Sequence, residues 1–306
     1  MSRRKKGRVL QRFEYITYRA VAGFAARLSE ESALRWGTRL GSLSSVVLRG
    51  RASLALRNLR ATFPEKTKHE IRAIAKECWR HFGRALIEYI RMQRMPLRDI
   101  QNRVEVVNSH LLDESYARGN GTILISAHLG SWEVGGLAVM SLVENVHTVT
   151  RALDNELLER DLARIRSRTG ANMIDRRHAA RPLMKALSHN GRVVMLPDQA
   201  VQAREGILSP FLGRPAWTTP APAKLAARHG STIVFVFCIP AKNGHRLEFQ
   251  EQIRVDQLTE EERDPAALTA RINDVISRRI ASRPELWLWM HDRWKGTGES
   301  EPPDGQ

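Results

Sequence analysis

The chain has 306 residues, 42% of them hydrophobic, enough for one large α/β domain or two small ones and too apolar for a disordered or fibrous chain. Cys78 and Cys238 both lie in apolar surroundings and read as reduced core thiols, which argues against a disulfide scaffold or a cysteine-built zinc site and for a reducing compartment. The net charge is +16, and residues 1–60 alone hold 14 Lys/Arg against Glu14, Glu30 and Glu31, so a polyanion belongs beside the N-terminal segment: nucleic acid, an anionic membrane or an acidic protein.

In chain order, the basic start is followed by an interrupted apolar stretch. Arg19, Arg27, Glu30 and Glu31 break it, so no run reaches the roughly 18–20 residues needed to span a bilayer, and a secretory signal fits poorly. Arg12–Leu28 is predicted as an amphipathic helix, with Arg12, Arg19 and Arg27 on one face and Tyr15, Tyr18, Val21, Phe24, Ala25 and Leu28 mostly opposite. Such a helix either lies in a membrane interface or packs on the core with a solvated basic side. Thr67-x-x-Glu70 resembles a capping box, and Ile71, Ile74, Cys78, Phe82, Leu86 and Tyr89 continue at helical spacing to about Met95.

From Val104 onward the period changes. Val104–Val107, Thr122–Ala127, His147–Thr150, Arg192–Leu196, Ser231–Ile239 and Arg246–Val255 read as strands, with a short strand-like Asn172–Ile174. Helices are predicted over Val134–Val143, Asn155–Arg168, Ala180–His189, Pro220–Arg228 and Pro265–Ser282. The alternation predicts an α/β fold: N-terminal helices over residues 1–100, then a mainly parallel, mixed sheet flanked by helices over 101–295, the last strand pair antiparallel, and a frayed tail over 296–306.

In such sheets chemistry gathers at the carboxyl ends of the strands. His128 follows one strand directly, with Gly130, Ser131 and Glu133 behind it in a turn into a helix. A loop folded back on itself lets the Glu133 carboxylate accept from one imidazole nitrogen, leaving the other to take a proton from a hydroxyl. Otherwise His128 caps a strand end and Glu133 merely suits the helix dipole. Gly130 lets a substrate approach the backbone closely. Asp198 ends another strand, placed to bond an acceptor sugar, fix an arginine or cap a turn. Arg164, Arg166 and Arg168, followed by Arg176, Arg177 and Arg181, concentrate positive charge suited to phosphates or to a solvated helix face. The Trp-rich Leu286–Trp294 segment reads as core packing. Gly-x-Ser-x-Gly, Walker, Gly-x-Gly-x-x-Gly and His-Glu-x-x-His signatures are missing, as are helix-turn-helix, zinc-finger and RNA-recognition motifs, so a nucleic-acid partner is not expected.

His128-Leu-Gly-Ser-Trp-Glu133 resembles the His-x4-Asp/Glu motif of the glycerolipid and lysophospholipid acyltransferase superfamily. Arg151-Ala-Leu-Asp-Asn155, Leu196-Pro-Asp-Gln199, Gly206-Ile-Leu-Ser-Pro-Phe-Leu-Gly-Arg-Pro215 and Pro284-Glu-Leu-Trp-Leu-Trp-Met-His291, followed by Arg293-Trp-Lys295, narrow the resemblance to the late (lauroyl/myristoyl) acyltransferases of lipid A biosynthesis, over about residues 10–295. The resemblance implies a glycerol-3-phosphate acyltransferase-like fold, His128 as general base with Glu133 as its partner, and Arg166 and Asp198 at the active site as substrate-binding residues. It also implies an acyl thioester co-substrate on acyl carrier protein, no metal or bound cofactor, a phosphorylated glycolipid acceptor, and the cytoplasmic face of the inner membrane. The Gly130 loop and an arginine are expected to stabilise the oxyanion. The N-terminus departs from the family's more hydrophobic first helix, which favours surface attachment over spanning. Enzymes acylating mannosylated phosphatidylinositol share the His motif, so the acceptor stays open among lipid A precursors, phosphatidylinositol mannosides and lysophospholipids. A thioesterase or lipid hydrolase using the same pair on water is the remaining alternative.

Overall fold

Hydrophobic periodicity switches from helical to alternating near residue 100, and the architecture follows it. A computed structural model describes residues 7–150, 152–175 and 178–297, and the backbone alone of Arg166. Four helices come first: α1 (Arg8–Arg27), α2 (Glu30–Val47), α3 (Arg49–Thr62) and α4 (Lys68–Met92). The Thr67/Glu70 capping box is formed, so α4 starts where its sequence says. Helices α2 and α3 were not read from the sequence; Gly37, Gly41 and four serines dilute the apolar pattern of α2. Those glycines have a packing reason. A Cβ on Gly41 would meet the Trp79 carbonyl at 2.0 Å, and one on Gly83 would meet the Gly37 carbonyl at 2.0 Å, so α2 and α4 touch backbone to backbone.

The rest alternates: α5 (Leu97–Gln101), β1 (Val104–Val107), α6 (His110–Ala117), β2 (Thr122–Ile125), α7 (Trp132–Leu142), β3 (Val146–Thr150), α8 (Glu156–Ser167), β4 (Asn172–Asp175), α9 (Ala180–Ser188) and β5 (Arg192–Met195). Then come β6 (Ile207–Phe211), β7 (Arg214–Thr218), α10 (Ala221–His229), β8 (Thr232–Ala241), β9 (Gly244–Arg254), α11 (Glu260–Arg263) and α12 (Pro265–Ser282). Seven strands form one sheet in the order β1-β9-β8-β2-β5-β3-β4. Every neighbouring pair is parallel except the β8–β9 hairpin, the antiparallel last pair that the sequence predicts.

Successive side chains of the central strands serve opposite layers. Ile123, Ile125, Ile233, Phe235 and Phe237 face a core shared with α4, α10, α12 and the C-terminal tryptophans. Leu124, Val234, Val236 and Cys238 face a second layer with α7 and Met92. Because Ile71, Ala75 and Cys78 of α4 belong to the first of these cores, the helical region is built into the sheet's packing.

β6 and β7 form a separate antiparallel ribbon that the sequence reading missed. Pro210 and Pro215 face each other across it, and proline hides a strand from pattern analysis. Leu212 at φ 50° and Gly213 at φ 76° make the turn.

Register places the site. β2 and β5 are parallel neighbours with Ile125 paired to Met195, and the Ser126 N–H donates to the Met195 carbonyl at 3.0 Å. His128 and Asp198 each stand three residues past that last pair, so the two strands deliver them side by side at the carboxyl edge.

Candidate active site

Asp198 is the carboxylate that holds His128. The His128 Nδ1 atom lies 2.9 Å from Asp198 Oδ1, and the His128 backbone N–H donates to Oδ2 at 2.9 Å. The Trp287 indole N–H also donates to Oδ2, at 2.9 Å. An ionised carboxylate only accepts, so the proton of neutral His128 sits on Nδ1 and the lone pair on Nε2. Burial alone would push the His128 pKa down; the Asp198 charge, its hydrogen bond and the more distant Glu133 charge outweigh that and raise it. Asp198 is 1% exposed, and burial would raise its pKa. The His128 charge, the His128 and Trp287 side-chain bonds and the His128 backbone bond prevail and lower it.

The segment after α12 clamps this loop from the other side. Leu129 and Trp287 form an antiparallel bridge, flanked by Gly130 N–H to the Leu286 carbonyl at 2.8 Å and Leu288 N–H to the His128 carbonyl at 3.2 Å. The Ser131 N–H donates to the Cys238 carbonyl at 2.8 Å. Gly130 has φ +64°, and a Cβ there would lie 2.2 Å from the Cys238 carbonyl oxygen. Its glycine is therefore required by the packed β8 strand. The sequence reading gave it to an approaching substrate, and that is corrected. The N–H groups of His128, Gly130 and Ser131 are all engaged within the fold, so the oxyanion role expected of the loop does not fall to these three.

The expected site residues are placed unequally. Glu133 stands exposed in the first turn of α7 and reaches His128 as a through-space charge; the carboxylate bonded to the ring is Asp198 instead. Asp198, expected to bind acceptor or fix an arginine, has its described bonds with His128 and Trp287, buried beneath the ring. Asp/Glu spacing within one loop could not reveal this, since it arises from pairing of two strands 70 residues apart. The Arg166 side chain lies outside the described residues, as do Arg151, Arg176 and Arg177. The backbone nearby is placed: Arg168 donates to the carbonyls of Gln93 and Met95, just past α4, at 3.1 and 2.6 Å. That end of α4 is about 15 Å along the helix from Phe82. Phe82 meets Trp132 at a tilt, ring centroids 5.4 Å apart, and Trp132 lies 5.6 Å from the His128 ring.

Other motif residues are structural. Asn155 caps α8 through Leu157 N–H at 3.0 Å and donates to the Gln11 carbonyl and Glu14, each at 2.9 Å, tying α1 to the core. Arg293 is fully buried, donating to the Trp217 carbonyl at 2.7 Å and Thr218 Oγ1 at 2.5 Å, which pins the β6–β7 ribbon. Burial pushes its pKa down to about 10, against the Asp198 charge, so it stays cationic at neutral pH. Among the described residues no group of three His, Cys, Asp or Glu is placed to hold a metal ion.

A second feature lies on the N-terminal helices. The α1 residues Tyr18, Ala22 and Ala25 face inward, whereas Val9, Phe13, Ile16 and Phe24 share an exposed face. On α2, Trp36, Leu40, Leu43 and Val47 do the same at spacings of four, three and four. Phe13 is 67% exposed and Val47 68%. Phe24 meets Trp36 edge to face at 5.6 Å, which joins the two faces into one apolar surface bordered by Arg8, Arg12, Arg35 and Arg39. The predicted helix is present, but its predicted apolar side is divided: Tyr18, Ala25 and Leu28 pack inward, whereas Val21 and Phe24 are exposed. No helix of the described residues is long and apolar enough to cross a membrane.

A family model described as bacterial lipid A biosynthesis acyltransferase matches residues 1–296. The chain is 27% identical over 262 residues to a lipid A biosynthesis palmitoleoyltransferase of Escherichia coli (strain K12), covering 85% of this chain and 83% of that protein. It is 26% identical over 269 residues to a lipid A biosynthesis lauroyltransferase of the same organism, covering 88% and 87%. A phosphatidylinositol mannoside acyltransferase of Mycobacterium tuberculosis (strain ATCC 25618 / H37Rv) is 27% identical over 218 residues, 70% of this chain and 67% of its own. Among solved structures, the 1-acyl-sn-glycerophosphate acyltransferase PlsC of Thermotoga maritima aligns with a TM-score of 0.38 at 13% identity, over 76% of this chain and 96% of that one.

Proposed function

This chain belongs to the bacterial lipid A biosynthesis acyltransferase family, and from that premise we propose that it transfers a fatty acyl chain from an acyl-carrier-protein thioester to a hydroxyl of a lipid A precursor or a related phosphorylated glycolipid. It is an acyltransferase, and the coarse reaction is acyl transfer to a glycolipid. The finer reading is supported above all by the paired His128 and Asp198, delivered by adjacent parallel strands to the carboxyl edge of the sheet.

In the proposed reaction, His128 Nε2 takes the proton of the acceptor hydroxyl while Asp198 steadies the Nδ1–H side. The acceptor oxygen attacks the thioester carbonyl carbon, and the C–O bond forms directly, without an acyl-enzyme. The tetrahedral intermediate then expels the thiolate, which recovers the proton from His128, giving an ester and a free carrier thiol. Glu133 assists by its charge, which favours the imidazolium formed midway. Arg166 is proposed to hold a charged group of the acceptor. No metal or bound cofactor enters the scheme.

The apolar surface of α1 and α2, bordered by arginines, supports peripheral attachment to an anionic bilayer at the cytoplasmic face of the inner membrane. The same basic surroundings suit an acidic carrier protein.

The test is incubation of the enzyme with labelled acyl-carrier thioester and a panel of acceptors that includes lipid A precursors, a phosphatidylinositol mannoside and a lysophospholipid, with products read by mass. The expected outcome is an acylated phosphorylated glycolipid, with His128→Ala lowering turnover by about 10²–10⁴-fold. Thioester hydrolysis indifferent to every acceptor would replace transfer by a thioesterase.

A further inference from the structure

We propose that Trp287 is a positioning residue for acyl transfer: its indole N–H holds the Asp198 carboxylate that in turn holds the His128 ring. The proposal rests on the reading of His128 as the base.

A carboxylate removed from water is costly unless its lone pairs are met. Asp198 meets them with three donors, of which two, the Nδ1–H and the backbone N–H, belong to His128 itself. Trp287 supplies the donor that does not depend on His128, at 2.9 Å on Oδ2. It fixes the carboxylate plane even while the ring is protonated, deprotonated or pulled toward substrate.

The indole is itself held. The backbone of Trp287 bridges Leu129, one residue past the base. Its carbonyl accepts from the Cys78 thiol at 3.2 Å, and burial pushes that thiol's pKa up to about 12, so it remains a donor. Its ring lies 4.7 Å from Trp289, 5.6 Å from Phe211 and 6.1 Å from Trp294. A donor so confined is aimed before substrate arrives, which is what positioning requires.

Trp289 supplies the contrast within the same segment. It too is fully buried, but its indole N–H satisfies itself on the Pro284 backbone carbonyl at 2.7 Å. Both buried indoles find an acceptor, and of the two it is Trp287 that takes the carboxylate behind the base. The other groups facing the pair are Glu133 from α7, His291 and Arg293 from the C-terminal segment, and His81 of α4, which faces the Gly130 backbone.

The experiment measures kcat and kcat/KM against pH for wild type, Trp287→Phe, Trp289→Phe and His128→Ala, with thermal melts of each. A further protein carries 3-benzothienylalanine at position 287, which keeps the shape of tryptophan and lacks the N–H. Losing the donor is expected to cost about ten- to a hundredfold in kcat, the range for a hydrogen bond to a buried charge. It also moves the acid limb of the profile to higher pH, because the carboxylate becomes easier to protonate and bears harder on the imidazolium. Both effects appear in the benzothienyl protein even where Trp287→Phe folds poorly. Trp289→Phe lowers the melting temperature and leaves the acid limb in place. If the benzothienyl protein keeps the wild-type limb and turnover while His128→Ala is inactive, Trp287 only fills the core. An active His128→Ala sinks the reading of the base itself.

Discussion

Asp198 grips His128 twice, by the ring and by the backbone, at 2.9 Å each, so one buried carboxylate fixes both the loop and the imidazole on it. The histidine and its carboxylate are thus a product of β2–β5 pairing, and neither can shift without the sheet edge.

That pairing sets a pH dependence. The His128 pKa is raised above its ordinary 6.5 and the Asp198 pKa lowered below its ordinary 3.8. The base works when neutral, so kcat/KM rises with pH through a midpoint above 6.5. Stability runs the other way. The raised His128 pKa stabilises the fold fully below 6.5 and ceases to as pH climbs through the folded value. The lowered Asp198 pKa stabilises above 3.8 and ceases to as pH falls through its folded value. Asp198→Asn should therefore lower the acid-limb midpoint and cut turnover by about 10²–10⁴-fold. Glu133→Gln removes a charge that acts on the ring through space, so it should cost less and lower the midpoint slightly. Pre-steady-state and steady-state profiles of the three proteins check the order; a larger loss in Glu133→Gln would exchange the two carboxylates' roles.

Gly130→Ala should destabilise the fold strongly. The new Cβ would collide with the Cys238 carbonyl at 2.2 Å, and φ +64° is strained for any side chain. Such strain costs about 1–3 kcal/mol before the clash is counted. Denaturant unfolding measures it, with Gly136→Ala as a reference, since a Cβ at Gly136 meets nothing within 4 Å. Equal midpoints in the two variants would show that the loop yields easily.

How far the sequence carried the fold depends on the kind of signal. The β2 strand reads as Thr122-Ile-Leu-Ile125, an apolar run flanked by glycine, and β8 and β9 are equally plain. The β6–β7 ribbon is hidden by its prolines, and α2 by glycines whose purpose is contact with α4. His128 was legible from its place past the carboxyl end of an apolar strand and from the His-x4-Glu motif it opens. The carboxylate bonded to it was not, since Glu133 competes for that place by nearness in sequence. Asp198 wins by register, which no single segment encodes. The Trp-rich segment was legible as core but not as a donor to the site, because a buried indole gives no sign of its acceptor.

Membrane attachment should depend on the exposed face and not on α1 as a whole. Deleting residues 1–28 would also remove Glu14, Tyr15 and Tyr18, which bond to Asn155, Asp161 and Gln93 of the core. Surface substitutions are cleaner. Phe13→Gln, Ile16→Gln, Leu43→Gln and Val47→Gln together should free much of the protein from anionic vesicles while leaving its melting temperature unchanged, since each side chain is at least 60% exposed. Vesicle sedimentation at low and high salt reads the result. Undiminished binding would transfer attachment to the arginines alone, and high salt would then release the protein.

Arg166 offers the last discrimination, between gripping acceptor and acting on the reacting carbon. Its neighbour Arg168 is spent on the Gln93 and Met95 carbonyls, beyond the end of α4 and away from the Trp132–His128 contact. The proposed function gives Arg166 a charged group of the acceptor to hold, and the rival reading gives it the oxyanion. Arg166→Lys keeps the charge but loses the planar fork that holds a phosphate by two bonds, so it should not behave as conservative. The expected result is a raised KM for acceptor with kcat little changed, in Arg166→Lys and more strongly in Arg166→Ala. An acceptor titration at saturating thioester measures it. A fall in kcat matched by kcat/KM would place the guanidinium at the oxyanion instead, and unaltered kinetics in both variants would make Arg166 one more solvated arginine on α8.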